Sequence, residues 1–191
     1  MERSTRKDEA QVIEEWVEQC RQGRTRAYAE IVRALQPQVL GFLYRMTRDR
    51  EWAEDLGQEV FLRAYRRLER YDRNKAAFST WLFTMARNLC LDELRKSRPQ
   101  RVALEEAAET QAAGDPGPDA ALRENELERL IAEAVQSLAA EYREVFILKE
   151  YQDFSLEEIA AIVQCPIGTV KSRLHRARTQ LQKQLSPILS A

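Results

Sequence analysis

Apolar residues recur at intervals of three and four along most of the chain and rarely alternate with polar ones, which predicts helices nearly throughout and no sheet. A first block offers Ala10 to Arg21, Arg26 to Met46, Arg50 to Arg70 and Phe78 to Lys96, with Pro37 expected to kink or interrupt the second of these. Phe78, Trp81, Leu82, Met85 and Leu89 share one face of the fourth and can pack on Ile31, Leu35, Leu40 and Leu43. A second block offers Leu122 to Leu138, Ala140 to Tyr151, Leu156 to Val163 and Pro166 to Leu185. Between the blocks the apolar stripe fails. Glu105, Glu106, Glu109, Asp115 and Asp119 accompany Gly114-Asp115-Pro116-Gly117-Pro118, and no basic residue occurs from Val102 to Ala121, so this segment reads as a flexible acidic linker with at most a transient helix over 102–113. The expected fold class is all-α: two small helical domains, 10–97 and 122–186, joined by a linker at 98–121. Six glycines and six prolines in 191 residues agree with it.

The third helix has two unlike faces. At about 100° per residue, Ala53, Leu56, Gly57, Val60, Ala64 and Leu68 fall on one side. Glycine inside a helix costs about 1 kcal/mol relative to alanine, which close approach of a neighbouring helix at Gly57 would offset. The other side gathers Asp55, Gln58, Glu59, Leu62 and Arg66, one large apolar residue inside a polar, mostly acidic patch. It is either a solvated surface with a stray leucine or a docking surface.

Charge changes the reading of the last helices. A net charge of −1 argues against a nucleic-acid partner, but the distribution is uneven: after Glu158 there is no acid, while Lys171, Arg173, Arg176, Arg178 and Lys183 crowd one stretch. Ser155 and Glu158 form a capping box, and Cys165-Pro166-Ile167-Gly168-Thr169 breaks the chain before the next helix, with Pro166 suited to its first turn. Two short helices joined so tightly have the geometry of a helix-turn-helix. Burying Val170, Leu174, Ala177, Leu181 and Leu185 leaves Ser172, His175, Arg176 and Thr179 outward, flanked by Thr169 and Lys171. Such donors and cations suit base edges and phosphates in a major groove; a solvated basic face is the alternative. His175 has no acid nearby in sequence and reads as a groove or phosphate contact rather than a general base.

Other chemistry is sparse. Cys20, Cys90 and Cys165 lie far apart with no Cys-x-x-Cys, and His175 is the sole histidine, so neither a disulfide framework nor a zinc site is expected. No Gly-rich phosphate loop or nucleophile-base set occurs, so no enzyme, cofactor or small-molecule substrate is expected. Reduced thiols, a polar N-terminus and the lack of an apolar run of about 20 residues suggest a cytoplasmic, soluble protein.

Three stretches in this order resemble one family. Ala53-Glu54-Asp55-Leu56-Gly57-Gln58-Glu59-Val60-Phe61 is similar to sigma region 2.2. Phe78-Ser79-Thr80-Trp81-Leu82, with Arg87-Asn88-Leu89 and Leu91-Asp92-Glu93-Leu94-Arg95, resembles regions 2.3 and 2.4. Ser155-Leu156-Glu157-Glu158-Ile159-Ala160, with Gly168-Thr169-Val170-Lys171-Ser172-Arg173-Leu174, resembles region 4.2. The chain thus looks like a bacterial RNA polymerase sigma factor of the extracytoplasmic-function (ECF) class, which keeps only regions 2 and 4.

The resemblance implies that Asp55, Gln58, Glu59 and Leu62 dock on the coiled coil of the polymerase β′ subunit, which would explain the odd leucine. It implies that Tyr71, Asn74 and Lys75 in the loop before the fourth helix, with Arg87, Asn88, Asp92 and Arg95, engage the minus-ten element, where a base is turned out of the stack. Trp81 is either core or a stacking platform. Thr169, Lys171, Ser172, Arg173, His175 and Arg176 would read the minus-thirty-five element. Two positions depart from the family: Gly57 stands where an apolar or β-branched residue is usual, and Lys171 where arginine is common, without arginine's planar fork. The implied partners are core RNA polymerase (β′ coiled coil and β flap), double-stranded and melted promoter DNA, and an anti-sigma factor, often membrane-anchored, with Leu62 in its footprint. The acidic linker would run through the polymerase cleft. A regulator of the LuxR type shares the last two helices, but the first block shows neither the strands nor the pocket-forming pattern of a receiver or ligand domain.

Overall fold

The computed structural model describes the backbone of residues 2–108 and 121–189, and side chains over 9–96, 126 and 128–187. Among these residues the order is α1 (Glu2–Arg21), α2 (Arg26–Thr47), α3 (Arg50–Arg66), a short 3-10 turn (Leu68–Arg70), α4 (Phe78–Ala108), α5 (Ala121–Ser137), α6 (Ala140–Glu150), α7 (Leu156–Val163) and α8 (Ile167–Leu189), with no strand. No helix of the described residues is long and apolar enough to cross a membrane.

Local chemistry fixes several boundaries. Arg48 ends α2 in the left-handed region at φ 59°, and Asp49 caps α3 by accepting from the Trp52 amide at 3.0 Å. Ser155 and Glu158 make the expected capping box, the carboxylate accepting from the Ser155 amide at 2.8 Å and the hydroxyl from the Glu158 amide at 3.2 Å. Pro166 sits one residue before α8, and its carbonyl accepts from the Thr169 and Val170 amides.

Pro37 does not interrupt its helix, and the fourth helix runs past its expected end. The helix α2 runs unbroken through Pro37, which is exposed while Leu35, Val39 and Phe42 on the opposite face are buried. Burial of a Leu, Val or Phe side chain stabilises by about 1.5–3 kcal/mol each, enough together to offset the roughly 3 kcal/mol of an internal proline. The fourth helix does not stop at Lys96 but continues as backbone to Ala108, and the rest of the expected linker, 109–120, lies outside the described residues.

The blocks share one continuous core. Phe83 of α4 stacks edge-on against Phe42 of α2 at 5.7 Å and against Phe154, just before α7, at 4.9 Å. Phe154 and Phe83 are both fully buried. Around this seam α2 and α4 of the first block meet α6 and α7 of the second. Within the first block, α2 and α3 approach closely at Gly57, where a Cβ would stand 2.6 Å from Leu40 Cδ2. That is the compensation expected for a mid-helix glycine.

Leu40 is only half-buried and its methyl can swing, so Gly57→Ala should change the unfolding free energy by less than about 1 kcal/mol, the helix-propensity gain offsetting the displacement. Gly57→Val, with branched bulk against the same methyl, should lower it by about 1–3 kcal/mol. Urea denaturation of both variants measures the difference.

Candidate docking and nucleic-acid surfaces

The outer face of α3 is built by the pattern that buries its inner face. Asp55, Gln58, Leu62 and Arg66 are exposed, Leu62 at 44%, while Glu59 is half-buried and ion-paired to Arg63 one turn on. Leu62 is not isolated. It lines a groove of ≈ 850 Å³ between α2 and α3, to which Tyr28, Val32, Phe61 and Tyr65 also contribute. Tyr28 Oη donates to the Phe61 carbonyl at 2.5 Å, and its ring lies 4.8 Å from that of exposed Tyr65. The contribution of α2 escapes a reading of α3 alone; Tyr28 and Val32, one turn apart, were the available signal.

The loop between the 3-10 turn and α4 presents Arg73, Asn74 and Lys75 to solvent. Asp72 shapes it by accepting from the Asn74 amide at 3.0 Å, with Lys75 3.8 Å from its carboxylate. Tyr71 differs from its expected place in an exposed loop: it is 3% exposed, its ring 5.2 Å from Phe78 and 5.3 Å from Trp81. Its hydroxyl is held by Glu14 and the Ala76 carbonyl, and burial with the neighbouring carboxylate pushes its pKa far up. Trp81 is half-buried in this aromatic cluster. On α4, Asp92 and Arg95 are exposed and paired with each other, and Asn88 is half-buried.

Arg87 also departs from expectation. Its side chain is 17% exposed and turned into the seam, where Nε and Nη2 donate to the two carboxylate oxygens of Glu144 at 2.8 and 3.1 Å. Glu144, on α6, is 1% exposed. Arg173 of α8 reaches the same carboxylate at 3.6 Å and pairs with Glu141 at 2.7 Å. One buried acid therefore holds an arginine from each candidate DNA surface.

The remaining face of α8 is open. Val170, Leu174, Ala177 and Leu181 are buried as their spacing requires, and Lys171, Ser172, His175, Arg176 and Thr179 are exposed. Thr169, half-buried, accepts through its carbonyl from the Ser172 hydroxyl at 2.9 Å. Arg176 donates to the Tyr142 hydroxyl at 3.1 Å, which raises the guanidinium pKa.

Comparison with known proteins gives consistent matches across this geometry. Residues 31–100 match the family Sigma-70 region 2, and residues 128–181 match Sigma-70, region 4. The chain is similar to the ECF RNA polymerase sigma factor SigW of Bacillus subtilis, at 36% identity covering 91% of this chain and 97% of SigW. It is similar to the RNA polymerase sigma-H factor of Pseudomonas aeruginosa, also at 36% identity, covering 91% of this chain and 93% of the relative. Among solved structures, the sigma factor RpoE of Bartonella quintana, in complex with the anti-sigma factor NepR, is similar with a TM-score of 0.65 and 29% identity, covering 83% of this chain and 96% of that one.

Removing one partner of a buried ion pair costs about 3–5 kcal/mol, whereas an exposed pair contributes about 0–1 kcal/mol. Glu144→Ala should therefore lower the urea midpoint sharply, and Arg178→Ala, which breaks the exposed Arg178–Glu150 pair at 2.6 Å, should barely move it.

Proposed function

We infer the roles of these surfaces from one premise: the chain belongs to the ECF class of sigma-70 RNA polymerase sigma factors and is a promoter-specific transcription initiation factor. Core RNA polymerase, through its β′ coiled coil and β flap, is the partner. The outer face of α3, with Asp55, Gln58, Glu59 and Leu62, takes the coiled coil, and the adjoining groove extends the contact onto α2. The outer face of α8 reads the minus-thirty-five element: Arg176 can grip guanine through O6 and N7, while Thr169, Lys171 and Ser172 anchor the backbone. Loop residues Asn74 and Lys75, with Asn88, Asp92 and Arg95 on α4, take the minus-ten element, where capture of an extruded base offsets unpairing.

The observation that carries this reading is the outer face of α8. In a chain of net charge −1 it exposes Lys171, Ser172, His175 and Arg176 together on a helix without a single acid. Arg87 and Arg173 join the DNA only after leaving Glu144, so the two blocks part when promoter is bound. An anti-sigma factor keeps the protein silent by covering the docking face, Leu62 included; the Bartonella quintana relative solved with NepR supports such a partner. The site of action is the cytoplasm, where polymerase and promoter are.

Purified chain added to core polymerase should give promoter-specific runoff transcripts. Asp55→Ala combined with Gln58→Ala should weaken core binding, and Arg176→Ala should relax discrimination at its base by roughly 5- to 100-fold without changing core affinity. If both variants lose only DNA binding, the docking assignment is wrong.

A further inference from the structure

We propose that Glu14 of α1 is a positioning residue for minus-ten recognition, holding loop 71–77 in its working shape from outside the segment that matches the family. The proposal rests on the role given to that loop above. One carboxylate oxygen, Oε1, accepts from the Tyr71 hydroxyl at 2.5 Å and from the Phe78 amide at 3.0 Å. Tyr71 is the residue by which the chain enters the loop, and Phe78 the first residue of α4 by which it leaves. Glu14 thus fastens both ends of the loop to a single atom. Ala77, immediately before α4, has no side-chain oxygen with which to cap the helix, so the carboxylate from α1 supplies the acceptor and places negative charge at the helix's positive end.

A second residue of α1 works in the same sense. Arg21, two turns on, donates to the Leu68 carbonyl at 3.4 Å and to the Tyr71 carbonyl, and its guanidinium stands 5.7 Å from the Tyr71 ring. Only the middle of the loop, Arg73 to Lys75, is left facing solvent. Ordering a loop backbone costs free energy residue by residue. With its ends fixed beforehand, that cost is met in folding and does not weaken base capture. The residues that touch DNA lie in the loop; those that aim it lie on α1, whose Glu14 and Arg21 precede the matched residues 31–100.

The test uses the full chain with core polymerase on a promoter library randomised in the minus-ten element, sequencing the transcribed templates. Glu14→Ala, and Tyr71→Phe, which removes only the hydroxyl, should flatten the base preference at minus ten by roughly tenfold. Affinity for core polymerase and preference at minus thirty-five should be unchanged. Glu14→Gln keeps an oxygen that can accept both bonds and should retain the preference. A merely structural role would lower stability in Glu14→Ala without this base-specific loss or this rescue. Intact minus-ten preference in Tyr71→Phe, or a loss in Glu14→Gln equal to that in Glu14→Ala, overturns the proposal. If Asn74→Ala and Lys75→Ala also leave the preference intact, it is the role of the loop itself that fails.

Discussion

A carboxylate shut away from water decides how the two halves of this chain meet. Burying an ionised acid carries a desolvation penalty of several kcal/mol even after relaxation, and Glu144 is offset only where Arg87 and Arg173 converge on it. Apolar packing of Phe83 on Phe154 closes the seam but is not directional. The bidentate pair is directional. It sets α4 against α6 and draws α8 to the same point, so the register of the two blocks follows from the lone pairs of one side chain.

The same arrangement separates two sets of side chains. Arg87 and Arg173 face inward at the seam, whereas Asp55, Gln58 and Leu62 stand exposed on α3 beside an open groove. On the roles proposed above, the docking face stands open in this conformation while two of the proposed DNA contacts are held at Glu144. Those roles put docking before the opening of the seam, and reading after it.

Much of this was legible in the sequence wherever information is local. Helical periodicity gave the elements, Ser155 and Glu158 their cap, and Gly57 a close helix contact that Leu40 supplies. The inward and outward sets on α3 and α8 follow from spacing alone. What escaped depends on residues far apart in the chain. Nothing in Arg87 announces Glu144, 57 positions later, and nothing in Tyr71 announces Glu14, 57 positions earlier. Each looked like a free polar side chain on a candidate DNA surface, and each is used inside the fold. That Pro37 leaves α2 uninterrupted has a related cause, since the apolar residues that keep α2 continuous act through tertiary packing.

The depth of the Glu144 cluster has a consequence for osmotic conditions. Mobile ions screen exposed charges over about 8 Å at physiological ionic strength but reach buried pairs far less. Protein–DNA affinity, by contrast, falls steeply with added salt because condensed counterions must be displaced. Added electrolyte therefore leaves the internal arginine–glutamate contact nearly intact, while it would loosen the promoter contact proposed for α8.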